Sequence, residues 1–323
     1  MKFKLKRIDG DASFREFYRV NKNKKNSIIV VSNKEKFKNL TLYVVVNKIL
    51  LQNKIHAPKL LSENIDKNFI EISDLGNKSL TKLTKNKKKI IFLYKKLIDL
   101  LIKIQKIKLK KKYIYKKRII KFKKYSSFEL HKESDLFFNW YLPNFINKRK
   151  LTILKKKLRK KLNLIYNKLS FENHVFVHRD FHLANFLINK KNKIGIIDSQ
   201  DAIIGNPLYD LTSLIDDVRV KIKKDIQKKL YNYYLKKTKI KKIALINMKN
   251  DYDILSVQRN LKILGIFVRL YKRDNKSHYL KYLPRTWELI LERMKNPIFK
   301  DFKIELEKHL SIQTMKRRGI KWQ

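Results

Sequence analysis

The sequence predicts an α+β chain in two lobes, a small antiparallel sheet with one helix over residues 1–75 and a mainly helical lobe over 76–323. Three features predict it. The first 75 residues hold short β-branched and aromatic runs parted by polar turns. From residue 87 onward Ile, Leu and Phe recur at three- and four-residue steps. Between the helical stretches, residues 175–197 break into two apolar runs around a polar loop.

Taken in order, residues 3–6 alternate weakly, and Gly10-Asp11-Ala12-Ser13-Phe14 is a turn. Residues 17–20 and 28–31 read as hairpin strands around the polar stretch 21–26. Residues 40–51 are apolar enough for a buried helix, although Val44-Val45-Val46 also suits a strand. Pro58 ends that element, because it cannot continue a helix and it restricts Ala57. Residues 59–61 and 69–72 read as strands, with the lobe boundary near Gly76.

Residues 90–107 form an amphipathic helix. The most basic block, 108–124, is interleaved with Tyr113, Tyr115 and Phe122 and reads as a solvated connection. Residues 128–142 read as a helix whose Glu129, His131, Glu133 and Asp135 interrupt apolar positions, the acids being surface charges by default. Gly205-Asn206-Pro207 releases the chain into a helix over 208–218. Residues 221–311 read as amphipathic helices, with Leu261, Leu264, Phe267, Val268 and Tyr271 as one core stripe. The tail 316–323 reads as a frayed basic end.

Composition narrows the class. At 323 residues and 43% hydrophobic content the chain can bury a sizeable core. The lack of cysteine excludes disulfides and thiolate metal sites. No signal peptide and no membrane span is legible, since lysines break every apolar run, so a soluble cytoplasmic protein is expected. The net charge of +52 would attract polyanions. Yet the lysines are spread along the chain, as compositional drift produces, so no specific nucleic-acid partner and no membrane partner is expected.

The chemistry is concentrated in HRDFHLAN, residues 178–185, and in Asp198 at the end of the next apolar run. A histidine two residues before an aspartate, with an asparagine five residues beyond, is the spacing of a kinase catalytic loop. Phosphoryl transfer needs a carboxylate beside the attacking hydroxyl and hard oxygens for the ion on the nucleotide phosphates. Asp180 fits the first role; Asn185 and Asp198 fit the second. His178 and His182 have the spacing of a zinc helix, but they lie in a loop without a third ligand, which sets zinc aside.

These residues, with IIDSQDAIIGNPLYDLTSLIDD after them, resemble the aminoglycoside phosphotransferase and choline kinase superfamily. GDASFREFYRV (10–20) and QRNLKILGIFVRLYKRDNKSHYLKYLPR (258–285) are similar to its bacterial anomeric sugar kinases, which phosphorylate N-acetylmuramate and N-acetylglucosamine in cell-wall recycling. The resemblance implies a protein-kinase-like two-lobe fold, ATP with Mg²⁺, and a sugar as acceptor. Residues 1–75 would be the nucleotide-binding lobe and 76–323 the catalytic and substrate-binding lobe. Gly10 and Ser13 would lie over the phosphates, and Asp74 and Gly76 would form the hinge facing the adenine. Asp210 would brace the catalytic loop. His178, Arg179, His182 and Asp201 would touch substrate or support the loop.

Two departures stand out. The strand at 28–31 lacks the phosphate-pairing lysine, being followed by Ser32, Asn33 and only then Lys34, so Arg15 or Arg19 on the neighbouring strand are candidate replacements. Ser73 stands where the hinge usually has a glutamate. A protein kinase does not fit, because Ser199-Gln200 follows Asp198 instead of Phe-Gly. The rivals are a choline or aminoglycoside kinase, with Phe137, Trp140 and Tyr141 as an aromatic box, and a basic nucleic-acid-binding protein with a vestigial kinase body. Arg259 and Arg269 could reach the carboxylate of N-acetylmuramate, pairing with surface acids being the default for both.

Overall fold

Ile28 and Val30 stand opposite Ile72 and Ile70 on paired strands, and their burial organises the start of the molecule. The structure is a computed structural model that describes residues 4–8, 15–22, 25–32, 38–81, 87–189, 192–239 and 244–316. The chain packs into two units, Met1–Lys123 with Val175–Ile204, and Lys124–His174 with Gly205–Gln323. Gly76, the expected lobe boundary, lies inside the first.

In the first unit, β1 (Lys4–Ile8), β2 (Glu16–Lys22) and β3 (Lys25–Val31) form a meander. After α1 (Lys38–Gln52) come β4 (Leu60–Asn64) and β5 (Phe69–Ser73), giving an antiparallel sheet in the order β1-β2-β3-β5-β4. The two-residue strand period puts Ile28, Val30, Ile70 and Ile72 on one face, where Leu40, Tyr43 and Val44 of α1 cover them. The i, i+3, i+4 spacing of those three is why the valine triplet is helical.

Next come β6 (Lys78–Ser79) and α2 (Lys87–Gln105). The basic block is not the plain connection expected of it: β7 (Tyr113–Tyr115) and β8 (Arg118–Ile120) form a hairpin. Its turn residues, Lys116 and Lys117, both have positive φ, 44° and 61°. Turns of that kind usually carry Asn or Gly, so the sequence signal is missing. Glu63 compensates, accepting from the Tyr115 hydroxyl and pairing with Lys116 Nζ at 2.5 Å. The unit closes with β9 (Val175–Val177), β10 (Phe186–Ile188), β11 (Ile194–Ile196) and β12 (Ile203–Gly205), paired as β11-β10-β6 and β12-β9.

The second unit is helical: α3 (Ser127–Leu136), α4 (Lys148–Tyr166), α5 (Leu208–Ile215), α6 (Lys224–Thr238), α7 (Leu245–Asp274), α8 (Leu283–Arg293), α9 (Lys300–Glu307) and α10 (Ile312–Lys316). A π-helical stretch, Phe137–Tyr141, extends α3. α7 is the axis, buried without interruption over residues 251–261 and packed against α3, α5 and α8. Phe137 and Tyr141 are core residues beside Trp287, whose Nε1 donates to the Tyr141 hydroxyl at 2.7 Å.

Glu133 is likewise no surface charge. Its carboxylate accepts from Tyr125, from Tyr209 at 3.1 Å, from Gln258 at 3.0 Å and from Lys262 at 2.9 Å. Residues 317–323 of the expected basic tail lie outside the described residues. No helix among the described residues is long and apolar enough to cross a membrane.

α7 and α3 approach so closely that only glycine fits at 265. A Cβ there would stand 2.2 Å from the Leu136 carbonyl carbon, a backbone atom that cannot swing aside. Gly265→Ala is therefore expected to destabilise the protein by roughly 1–3 kcal/mol or more. Urea unfolding would read this as a lower midpoint at unchanged slope.

Candidate active site

β9 is buried at all three positions, so the chain leaves it with His178 enclosed. Arg179 then turns left-handed at φ 74°, which for a non-glycine residue costs on the order of 1–3 kcal/mol. The loop closes on one atom, the carbonyl oxygen of Asp180. It accepts from His182 N at 3.0 Å and from Asn185 Nδ2 at 2.9 Å. The amide nitrogen of Asn185 is thereby committed and its Oδ1 is left for other work. Asn185 O accepts from Ile197 N at 3.0 Å, tying the loop to the residue before Asp198. Asp198 is itself left-handed at φ 65°. Strained non-glycine residues cluster at functional sites, and two of the described ones meet here.

The electrostatics are equally unusual. Burial, then the charge of Asp180, pushes Asp198 up to about 6, while Gln200 and Arg15 pull the other way. Gln200 Nε2 donates to Asp198 Oδ1 at 2.9 Å, and Arg15 Nη1 lies 4.0 Å from the same oxygen. The Asp198 side chain stays 37% open, so enclosure by neighbouring atoms, not loss of all water, raises it. Burial pushes His178 down to about 4, which the Asp180 charge and the Ile197 backbone partly offset. His178 is thus held neutral, a spacer under the loop.

The two candidate arginines separate. Arg15 is 3% exposed and approaches Asp198. Arg19 is committed elsewhere: its Nε and Nη2 reach the two oxygens of Asp74 at 2.6 and 3.2 Å, and Nη2 also reaches Gly76 O at 3.4 Å. Asp74 also accepts from Gly76 N at 2.8 Å, closing a turn in which Gly76 takes φ 95°. β3 carries no lysine beyond Lys25. Asp201 is exposed and accepts from Gln200 at 3.4 Å. His182 is buried in the loop, whereas Asp210 is buried in α5 of the second unit. Gly10, Ser13 and Lys34 lie outside the described residues.

Sequence reasoning missed four contributors. Ser199, next to Asp198, donates to Asn47 Oδ1 at 2.8 Å, both side chains being buried. Gln200 spans Asp198 and Asp201. Tyr43, one turn before Asn47 on α1, is pushed up to about 12 by burial, with Asp198 adding to the shift. A signal for Asn47 did exist: it is a lone polar residue in the apolar run YVVVNKIL, where burial obliges it to find a partner.

Asp198 and Asn185 Oδ1 are two hard oxygens at one loop end, suited to a cation that takes its remaining ligands from phosphate and water. No cluster of three or more His, Asp or Glu residues able to hold a metal alone occurs among the described residues. The Asp198 carboxylate, displaced upward despite the Gln200 and Arg15 contacts on its Oδ1, fits such a cation, whose charge would bring it down again.

An antiparallel sheet crossed by one helix, a strand–loop–strand carrying Asp180 and Asn185, and an aspartate at the following strand end define a kinase-like phosphotransferase. Residues 4–238 match the APH phosphotransferase enzyme family, and the chain belongs to that family. It is an enzyme that transfers phosphate to an alcohol group. The N-acetylmuramate/N-acetylglucosamine kinase of Pseudomonas aeruginosa is 28% identical over 85% of this chain and 79% of its own length. The kinase of the same name from Neisseria meningitidis is 26% identical over 88% and 83%. An aminoglycoside phosphotransferase solved with ADP and hygromycin B shares the fold, with a TM-score of 0.61 over 89% of this chain and 93% of that one at 11% identity.

Because His178 is held down to about 4, the unfolded chain binds a proton near pH 6.5 that the folded chain refuses until about pH 4. Its contribution to stability is complete above pH 6.5 and is lost as the pH falls through that window, about 3 kcal/mol at most. Asp198 works in the opposite sense below about pH 6, so the comparison must be with a variant. His178→Gln is expected to flatten the loss of melting temperature between pH 7 and 4.5 relative to the parent protein, read by differential scanning fluorimetry.

Proposed function

We propose that this chain is an ATP-dependent sugar kinase acting on N-acetylmuramate and N-acetylglucosamine, at the anomeric hydroxyl, in cytoplasmic cell-wall recycling. The observation that carries the chemistry is the clasp of Asn185 on Asp180 beside the strained, upward-shifted Asp198. The sugar rests on the names of the relatives. ATP rests on the family and on the ADP bound by a phosphotransferase of the same fold.

In this reading Asp180 accepts the proton of the sugar hydroxyl as its oxygen attacks the γ-phosphorus, and ADP leaves in line. Asn185 Oδ1 and the Asp198 carboxylate would hold Mg²⁺. Bound with the nucleotide, that ion would neutralise charge on the transferring group. Arg15 adds a fixed positive charge beside Asp198, in place of the missing strand lysine. Residues 1–75, with the hinge at Asp74 and Gly76 and the Gly10–Ser13 turn, would bind the nucleotide, and 76–323 would hold the acceptor. An aromatic box for a quaternary ammonium gains no support, since Phe137 and Tyr141 are enclosed beside Trp287.

The direct test offers N-acetylmuramate, N-acetylglucosamine and choline in parallel with ATP and Mg²⁺, and reads the product by phosphorus NMR. A sugar 1-phosphate is expected; phosphocholine alone would overturn the acceptor. Asp180→Asn should lower kcat by about 10²–10⁴-fold while nucleotide affinity changes only a few-fold. Near-normal turnover in that variant would remove Asp180 from the role of base.

A further inference from the structure

Helix α1 carries an amide within its apolar run, and that amide reaches the turn after Asp198. Leu40, Tyr43 and Val44 cover the sheet face formed by Ile28, Val30, Ile70 and Ile72. Asn47 continues the same i, i+3, i+4, i+7 stripe and is 3% exposed. There its Oδ1 accepts from Ser199 Oγ at 2.8 Å, and its amide is also hydrogen-bonded to the Tyr43 hydroxyl. Ser199 is fully enclosed. Tyr43, Asn47, Asp198 and Ser199 all belong to the first unit.

The place of this bond sets it apart from an ordinary buried tether. The residue before Ser199 is Asp198, whose left-handed backbone persists only where its surroundings over-determine it. The chain is held on both sides of it. Before it, Ile196 N donates to His56 O at 2.9 Å and Ile197 N to Asn185 O at 3.0 Å. After it, Ser199 O accepts from Ala202 N at 3.2 Å, closing a local turn, and the Ser199 hydroxyl ties that turn to α1. Gln200, which donates to the Asp198 carboxylate, belongs to the same turn and would shift with it. A bond that only satisfied two buried polar groups could be replaced by two apolar side chains at little cost, and α1 is already lined with Val44, Val45 and Val46.

We propose that Asn47, acting through Ser199, is a positioning residue for phosphoryl transfer: it holds the Asp198 carboxylate in fixed register with the five-stranded sheet, so that an oxygen already in place is offered to the Mg²⁺ of the nucleotide. The inference rests on the reading of Asp198 as a ligand of that ion; the tether to α1 does not. Asn47 acts on where Asp198 stands, not on the substrate. A misplacement of about 1 Å caused far from the chemistry can cost on the order of 10²-fold in rate, so one hydrogen bond on α1 is enough to matter.

The test uses the full-length protein and measures ADP affinity by isothermal titration calorimetry with and without Mg²⁺, with melting temperature as the check on folding. Asn47→Leu and Ser199→Ala are each expected to cut the Mg²⁺-dependent gain in ADP affinity about fivefold or more, while the Mg²⁺-free affinity stays within about twofold. The double variant should be no worse than the poorer single, because the same bond is lost in all three. Ser199→Ala, which removes one oxygen and adds nothing, carries the test should Asn47→Leu fail to fold. Equal losses with and without Mg²⁺, or losses that add in the double variant, would mean a structural role alone and overturn the proposal. Asp198→Asn separates the two readings. If it abolishes the gain while the Asn47 and Ser199 variants keep it, Asp198 remains the ligand and the positioning role is refuted. If it keeps the gain, or the parent protein shows none, the reading of Asp198 as a ligand fails and the proposal falls with it.

Discussion

One carbonyl oxygen, that of Asp180, holds the reactive loop together. Asn185 and His182 both donate to it, and Asn185 in turn accepts from Ile197. Through three residues, the loop that carries Asp180 is joined to the strand that delivers Asp198. Loss of the Asn185 side chain would therefore free the Asp180 carbonyl and loosen the spacing between two carboxylates that repel one another.

That repulsion explains much of what surrounds them. Asp198 is crowded by neighbouring atoms, faces the charge of Asp180, and adopts a left-handed backbone that only a well-determined environment can hold. The environment is visible. Ser199 is anchored to Asn47 on α1, Gln200 bridges Asp198 and Asp201, and Arg15 is nearly buried beside the carboxylate. His178, kept neutral by burial, supports the loop from within without adding a charge. These contacts fix the Asp198 carboxylate in place before any ligand arrives.

The second unit handles buried charge differently in each case. Glu133 has four donors and Asp216 has the fork of Arg293 with Ser256 and Gln227, so both are closed networks that give the helices a defined register. Arg259 has no such network: its Nη1 is enclosed without a hydrogen-bond partner.

The sequence by itself determined the strand meander, the positions of the helices and the loop residues Asp180, Asn185 and Asp198, because hydrophobic period and motif spacing are local properties. Charge partners were not legible. Arg19 meets Asp74 across 55 residues, Ser199 meets Asn47 across 152, and Glu133 meets Gln258 across 125. A charged residue in a helix reads the same on a surface as in a core, which is why Glu133 reads as a surface charge and Arg259 as the partner of a surface acid. The Lys116-Lys117 turn was missed for a related reason: it rests on Glu63 from another strand, not on its own residues. Tertiary structure alone decided which charges are enclosed and which of those are answered, since desolvation depends on everything that packs around a group and nothing in the local sequence reports it.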